Sequence, residues 1–324
     1  MILATLWGGG IDGTLVVVSR DRRRLVIPPR GPRTMQQALD EWSLWEHALE
    51  DTFGELDDER YGFPVERARF DAPLPRAFHW AEGSCYLQHM ERIRGSRSEA
   101  LPVEHLRRPI VYQSGSARNM APRGDIALPD PAWELDLEGT VVVITGAIRG
   151  AASEDEAGKA IRLVGITNDL TYRKLLVDER RQGTGVYWSK PGRAYAPFVV
   201  TPSTLDTAWT GANLRAALRC EVNGDALGAP RSDQDITFEF PRILAHLTAT
   251  RPLVPGSIVG TGTVSNADPA AGYACIAEKR AVEIAKDGAA TTPFLGTGDT
   301  VGIEALGDDG TSLFGRIEQT VVAA

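Results

Sequence analysis

The sequence predicts an α+β protein with more strand than helix. Three observations carry that expectation. Short runs rich in Val and Ile recur at 141–145, 161–166, 198–200, 217–222, 257–259 and 301–304. Turn pairs such as Asn223–Gly224 and Asp309–Gly310 separate such runs, as in antiparallel hairpins. One long helical apolar period, near the N-terminus, stands beside these strand-like runs. A proline-marked segment, Asp71 to Arg76 with Pro73 and Pro75, divides the chain into a small β/α part, 1–75, and a larger strand-rich part, 76–324.

In order, residues 2–7 and 14–19 are apolar and β-prone, and a turn with four glycines, Gly8, Gly9, Gly10 and Gly13, lies between them. They read as a hairpin, continued by Leu25, Val26 and Ile27. The basic run of Arg20, Arg22, Arg23 and Arg24 falls between two of these strands and reads as an exposed turn. Thr34 begins a helix, with Gln37 three residues on as in a capping box. Leu39, Trp42, Trp45, Leu49 and Phe53 follow at spacings of three or four, forming one core-facing stripe. Gly54 is its expected stop.

Bulk properties narrow the function. Of 324 residues, 43% are hydrophobic and 24% charged, the profile of a globular protein with a substantial core. A formal net charge of -8 argues against nucleic acid as a partner, since phosphate binding needs a basic stripe. No apolar window reaches membrane-span length. Cys85, Cys220 and Cys275 form neither a disulfide framework nor a zinc pattern, so the expected compartment is a reducing cytoplasm. Neither GxGxxG nor GxxxxGK[ST] occurs, which argues against a nucleotide-binding fold.

The groups able to do chemistry are few. Of five histidines, His47 and His246 read as packing residues of apolar helices, whereas His79 and His89 flank Glu82. Imidazole is the side chain best suited to general base catalysis near neutral pH. Glu82, Glu138 and Asp169 lie on three separate segments, and carboxylates can gather a hard cation. Spacing alone does not bring them together.

In their order along the chain, these segments resemble the fumarylacetoacetate hydrolase family. In that family an acidic residue, usually Asp, precedes the catalytic histidine by seven positions; here the pair is Glu82 and His89. The family's Glu-x-Glu before a hydrophobic strand resembles Glu138, Gly139 and Thr140. Its Asn-Asp-x-Ser/Thr-x-Arg motif is matched by Asn168, Asp169, Thr171 and Arg173. A following lysine resembles Lys190, and Gly-Thr-x-Ser resembles Gly262, Thr263 and Ser265. A glutamate paired with the histidine resembles Glu278. Tyr112 to Ser116, Pro122–Arg123, Leu128–Pro129 and Asp235 to Pro241 are further landmarks, so the resemblance covers most of the chain.

The resemblance implies a mixed β-roll catalytic part with a small β-rich N-terminal domain, usually as a homodimer. It implies Mg²⁺ (or Ca²⁺ or Mn²⁺) held by Glu82, Glu138 and Asp169, with Thr140 where a fourth carboxylate is expected. His89, oriented by Glu278, would activate water. Lys190 and Arg173 would stabilise the oxyanion, and Tyr112, Gly262 and Thr263 would contact substrate. The implied activity is hydrolysis of a C–C bond in a β-dicarbonyl, acylpyruvate-like or fumarylacetoacetate-like oxo-acid. The alternative is a lyase, decarboxylase, isomerase or cyclase on the same scaffold, possible without metal.

Overall fold

A computed structural model describes residues 1–58, 61–113, 115, 117–183 and 185–324. Ser114 and Ser116, part of the Tyr112 landmark, lie outside the described residues. The N-terminal part contains β1 (Ile2–Leu6), β2 (Thr14–Val18), β3 (Arg24–Val26), α1 (Met35–Asp40), α2 (Trp42–Glu55) and β4 (Phe63–Pro64). The hairpin and its third strand stand where the sequence places them. Arg24 fixes the turn after β2 to the end of α2 through Leu56 O and Asp58 O, at 2.8 and 2.7 Å.

The helix differs in two details. The Thr34 hydroxyl caps Gln37 N, but the Gln37 side chain accepts from Arg33 N instead of Thr34 N, so the capping box is half formed. At Glu41 the backbone leaves helical geometry (φ -125°, ψ 42°), which splits the stripe into α1 and α2. Leu39, Trp42, Leu49 and Phe53 are buried all the same. Gly54 lies inside α2, which runs to Glu55.

Next come β5 (Trp80–Gly83), α3 (Leu87–Gly95), β6 (Val111–Gln113), β7 (Arg123–Leu128), β8 (Leu135–Asp136) and β9 (Gly139–Thr145). They are followed by α4 (Glu154–Lys159), β10 (Ile161–Asp169), β11 (Thr171–Tyr172), α5 (Arg173–Gln182), β12 (Arg193–Tyr195) and β13 (Phe198–Val200). The last third holds α6 (Pro202–Leu205), β14 (Ala217–Val222), β15 (Asp225–Gly228), α7 (Phe240–Thr248), β16 (Ser257–Thr263), α8 (Ile276–Asp287), β17 (Thr300–Leu306) and β18 (Ser312–Ala323). Asn223 and Gly224 both have positive φ, 55° and 81°, as a type I′ turn between β14 and β15 requires.

Among the described residues, eleven strands form the main sheet, ordered β4-β3-β2-β1-β13-β10-β9-β16-β5-β6, with β12 also on β10. A second sheet runs β15-β14-β17-β18-β7. The β16–β5 and β18–β7 pairs are parallel and the other named pairs antiparallel, so the sheets are mixed. Every residue of β9 is buried, which explains its continuous apolar run: both faces are covered. No helix among the described residues is long and apolar enough to cross a membrane.

His47 and His246 correct the sequence reading. Both are exposed, on the outer faces of α2 and α7, and neither packs into the core.

Candidate active site

Register gathers the site. Glu82 in β5 lies opposite Tyr112 of β6 and Gly260 of β16. In β9, Thr140 lies opposite Thr167 of β10 and Thr263 of β16. Glu138 just precedes β9, and Asp169 ends β10. One end of the central strands therefore carries Glu82, Glu138, Thr140, Asp169 and Thr263. Asn168, next to Asp169, fixes this end: its side-chain oxygen accepts from Glu138 N at 3.0 Å. Asp169 N in turn donates to Glu138 O at 3.0 Å. Gly262 has φ +83°, and a Cβ there would lie 2.4 Å from Gly83 O. Only glycine lets β16 bend so close to β5 and present Thr263.

Carboxylate oxygens of Glu82, Glu138 and Asp169 lie within 4.8 Å of one another. All three residues are buried. The Lys190 ammonium is among them, donating to Glu138 Oε2 at 2.6 Å and Asp169 Oδ2 at 2.7 Å. The Tyr112 hydroxyl contacts both Glu82 Oε2 and Asp169 Oδ2. Thr140 Oγ1 donates to Glu82 Oε1 at 3.0 Å. Arg173 joins Glu138 Oε1 (2.6 Å) to Asp136 Oδ2 (2.7 Å). Lys190 is thus a buried ion-pair centre, not a solvated surface charge, and Arg173 is a bridge between two acids.

The charges set the proton positions. Burial, then the nearby Asp169, pushes the Glu82 carboxyl well above its usual range. Burial also opposes ionisation of Glu138, but Arg173 and Lys190 outweigh it and hold that carboxyl far below its usual range. Burial alone would lower Lys190; Asp169 and Glu138 reverse this and keep the ammonium charged.

A second cluster faces the first. His89 Nδ1 lies 2.9 Å from Glu278 Oε2. The fully buried Glu278 also accepts from Arg92 (2.5 Å) and Ser265 Oγ (2.7 Å) on Oε1. Burial pushes its carboxyl up, but the His89 hydrogen bond and charge, with Ser265 and Arg92, bring it below the usual value. With Nδ1 engaged by Glu278, Nε2 is the ring nitrogen left for the cavity that His89 lines. Cys275 caps α8 through its sulfur, and burial pushes its thiol well up, so it is no nucleophile.

Between the clusters lies a cavity of ≈ 240 Å³. Glu82, His89, Tyr112, Glu138, Arg173, Lys190, Gly262 and Thr263 line it. Arg94 and Arg180 supply a positive outer wall, beside a His105 that burial favours in its neutral form, with Met90, Ile93, Leu176 and Val186 as apolar lining. Glu278 and Asp169 stand behind the lining residues they contact.

Several supporting residues escaped the sequence reading. Asp136 is fully buried and takes Ile276 N and Ala277 N besides Arg173. Glu179 accepts from Tyr187 N, Trp188 N, Ser189 N and Ser189 Oγ, at 2.6 to 3.0 Å, and so sets the turn that carries Lys190. Arg193 approaches Asp169 Oδ1 at 3.7 Å. Arg92 alone had a signal: three residues after His89 on a helix, it shares that face.

Oxygen donors of this kind suit Mg²⁺, Ca²⁺ or Mn²⁺. In occupancy the fit fails. Each oxygen of the three carboxylates already faces Lys190, Arg173, Arg193, Tyr112 or Thr140, and the position expected to add a fourth carboxylate is a neutral threonine.

The profile of the fumarylacetoacetate (FAA) hydrolase C-terminal region matches residues 79–322, and that of fumarylacetoacetase N-terminal domain 2 matches 1–76. The fumarylacetoacetate hydrolase domain-containing protein 2 homolog of Dictyostelium discoideum is 24% identical over 62% of this chain, which covers 65% of that relative, just under two thirds. The oxaloacetate tautomerase of Escherichia coli (strain K12) is 24% identical over 58% of this chain and 80% of its own. The crystal structure of maleylpyruvate hydrolase from Sphingobium sp. SYK-6, in complex with manganese(II) ion and pyruvate, superposes with TM-score 0.66 at 16% identity, covering all of both chains. Relatives of this fold thus include hydrolases and tautomerases, and a solved isomerase from Mycobacterium marinum shares it. Matched by its profiles over nearly the whole length, the chain belongs to the fumarylacetoacetate hydrolase family.

Proposed function

We propose that this protein is a hydrolase that cleaves a C–C bond in a β-dicarbonyl or acylpyruvate-like oxo-acid. The observation that carries this reading is the His89–Glu278 pair facing a cavity whose other wall holds Lys190 and Arg173. A positive outer wall of Arg94 and Arg180 suits an anionic substrate.

Glu278 accepts a hydrogen bond from His89 Nδ1–H and leaves Nε2 free to take a proton from water. The hydroxide adds to the substrate carbonyl. Lys190 and Arg173 offset the charge on the resulting oxyanion. The C–C bond then breaks, its electron pair passing to the neighbouring carbonyl as an enolate. His89 returns its proton to that carbon, giving a carboxylic acid and a ketone. Every charge invoked belongs to the chain itself.

A second reading is proton transfer at carbon without water, as in an isomerase or tautomerase; the tautomerase relative favours it. The two differ in product. The test is a panel of acylpyruvates, β-diketo acids and oxaloacetate, followed by loss of enol absorbance and by product mass in ¹⁸O-water. Hydrolysis places ¹⁸O in a product carboxylate; isomerisation does not. His89→Ala should lower turnover about a hundred- to ten-thousand-fold. Near wild-type turnover in that variant removes His89 from the mechanism.

We further infer a homodimer in a reducing cytoplasm, with 1–75 supporting a catalytic unit of 76–324. Phe78, Tyr187 and Trp188 are exposed aromatics, a residue class enriched at protein interfaces. The buried free thiols Cys85, Cys220 and Cys275 suit a reducing compartment. Light scattering that shows a monomer at micromolar concentration would overturn the dimer.

A further inference from the structure

We propose that Lys190 is the resident cation of the carboxylate cluster, and that the centre binds and works without a divalent metal ion. The inference deepens the reading above and rests on it for the identity of the site, but not for its test.

Three observations carry it. First, the ammonium is buried and within 2.7 Å of two of the three carboxylates. An ion bound through those same Glu138 and Asp169 oxygens would sit at about 2.0–2.6 Å from them. It would therefore be at most about 5 Å from the ammonium, two cations in one buried space. Second, hydroxyls fill the rest of the cluster. Tyr112 lies between Glu82 and Asp169, and Thr140 takes the remaining Glu82 oxygen. Both are neutral, so neither adds the charge a hard cation needs. Third, the position of the ammonium is built rather than incidental. Glu179 anchors the turn just before Lys190 by four hydrogen bonds, and the Lys190 ammonium lies 5.2 Å from the centre of the Tyr112 ring. A mobile surface lysine would have no such scaffold.

The charge count agrees. Glu82, Glu138, Asp169 and Asp136 face Lys190, Arg173 and Arg193. Four acids against three cations leave at most one negative charge, and hard-cation affinity falls with the ligand charge available. A substrate oxo-acid anion would meet the ammonium directly, which then supplies N–H donors where a metal would supply Lewis acidity.

The test reads metal rather than turnover. Mn²⁺ is titrated into the chelator-treated wild type, Lys190→Met and Lys190→Arg, with bound ion followed by electron paramagnetic resonance and melting temperature in parallel. Methionine keeps the length of the side chain and removes its charge. Wild type and Lys190→Arg should take up no Mn²⁺ at millimolar concentration. Lys190→Met should gain one site per chain, bind at least about tenfold more tightly, and melt several degrees higher with the ion. A stoichiometric, saturable Mn²⁺ site in wild type overturns the proposal. So does a folded Lys190→Met, judged by circular dichroism, that remains blind to Mn²⁺. Should that variant fail to fold, the wild-type titration decides alone. Failure of the hydrolase reading would appear in the substrate panel and leave these titrations unchanged.

Discussion

Replacing Glu278 by alanine is the sharpest probe of the buried His89 cluster. The carboxylate has no exposure and holds three partners: His89, Arg92 and Ser265. Its removal strips the anionic partner from the Arg92 guanidinium, itself only 16% exposed, and leaves it Ser265 Oγ and Ala267 O. Taking one partner from a buried charge pair costs about 3–5 kcal/mol, so about 4 kcal/mol is expected here. Glutamine keeps the shape and one acceptor but not the charge, and should cost about half as much. For 324 residues the unfolding entropy is about 0.7 kcal/mol/K, so the alanine variant should melt about 6 °C below wild type. Urea unfolding followed by the fluorescence of the seven tryptophans gives the free energies directly. An alanine variant within about 1 kcal/mol of wild type would refute the reasoning, because the three contacts could not then be formed and buried as described.

Glu278 also makes a pH prediction. Its carboxyl is depressed in the folded protein, so its stabilisation is fully present above the unfolded value of 4.5 and lost as pH falls toward the folded one. The stability difference between wild type and Glu278→Gln should shrink as pH falls below about 4.5. Glu179→Ala should lower turnover about a hundredfold by displacing Lys190, and lower the melting temperature as well, because the buried Glu138 and Asp169 carboxylates lose that cation; unchanged turnover would remove Glu179 from the positioning of that ammonium. Gly262→Ala forces a Cβ against Gly83 O at 2.4 Å with positive φ, and should destabilise by about 2 kcal/mol or more in the same urea assay.

Strands were legible because their cause is local. The β-branched runs at 141–145 and 161–166 became β9 and β10, and Asn223–Gly224 turned as its φ preference requires. The break at Glu41 was not legible, because the apolar stripe runs through it unbroken. The two histidines on α2 and α7 were misread for a similar reason: apolar neighbours in sequence point to other faces of a helix. In the site, the order of segments carried the resemblance, but convergence of Glu82, Glu138 and Asp169 depends on the pairing of β5, β9, β10 and β16. No spacing encodes the four hydrogen bonds of Glu179 or the burial of Asp136. Those arise from contacts between segments folded together from afar.

The main sheet does not stop where the sequence suggests a linker. β1 pairs with β13 in register Ile2–Val200, Leu3–Val199 and Ala4–Phe198, and β13 touches β10, the strand that ends in Asp169. The first seventy-odd residues are therefore a plug on an otherwise open flank. Cut away, they would leave β13 with a row of unsatisfied amides and carbonyls, a template for the same strand of another molecule. A fragment beginning after Arg76 should form soluble aggregates or fibres rather than a smaller enzyme. Any exchange of N-terminal segments between relatives must preserve that three-residue register to keep the reacting end of β10 in place.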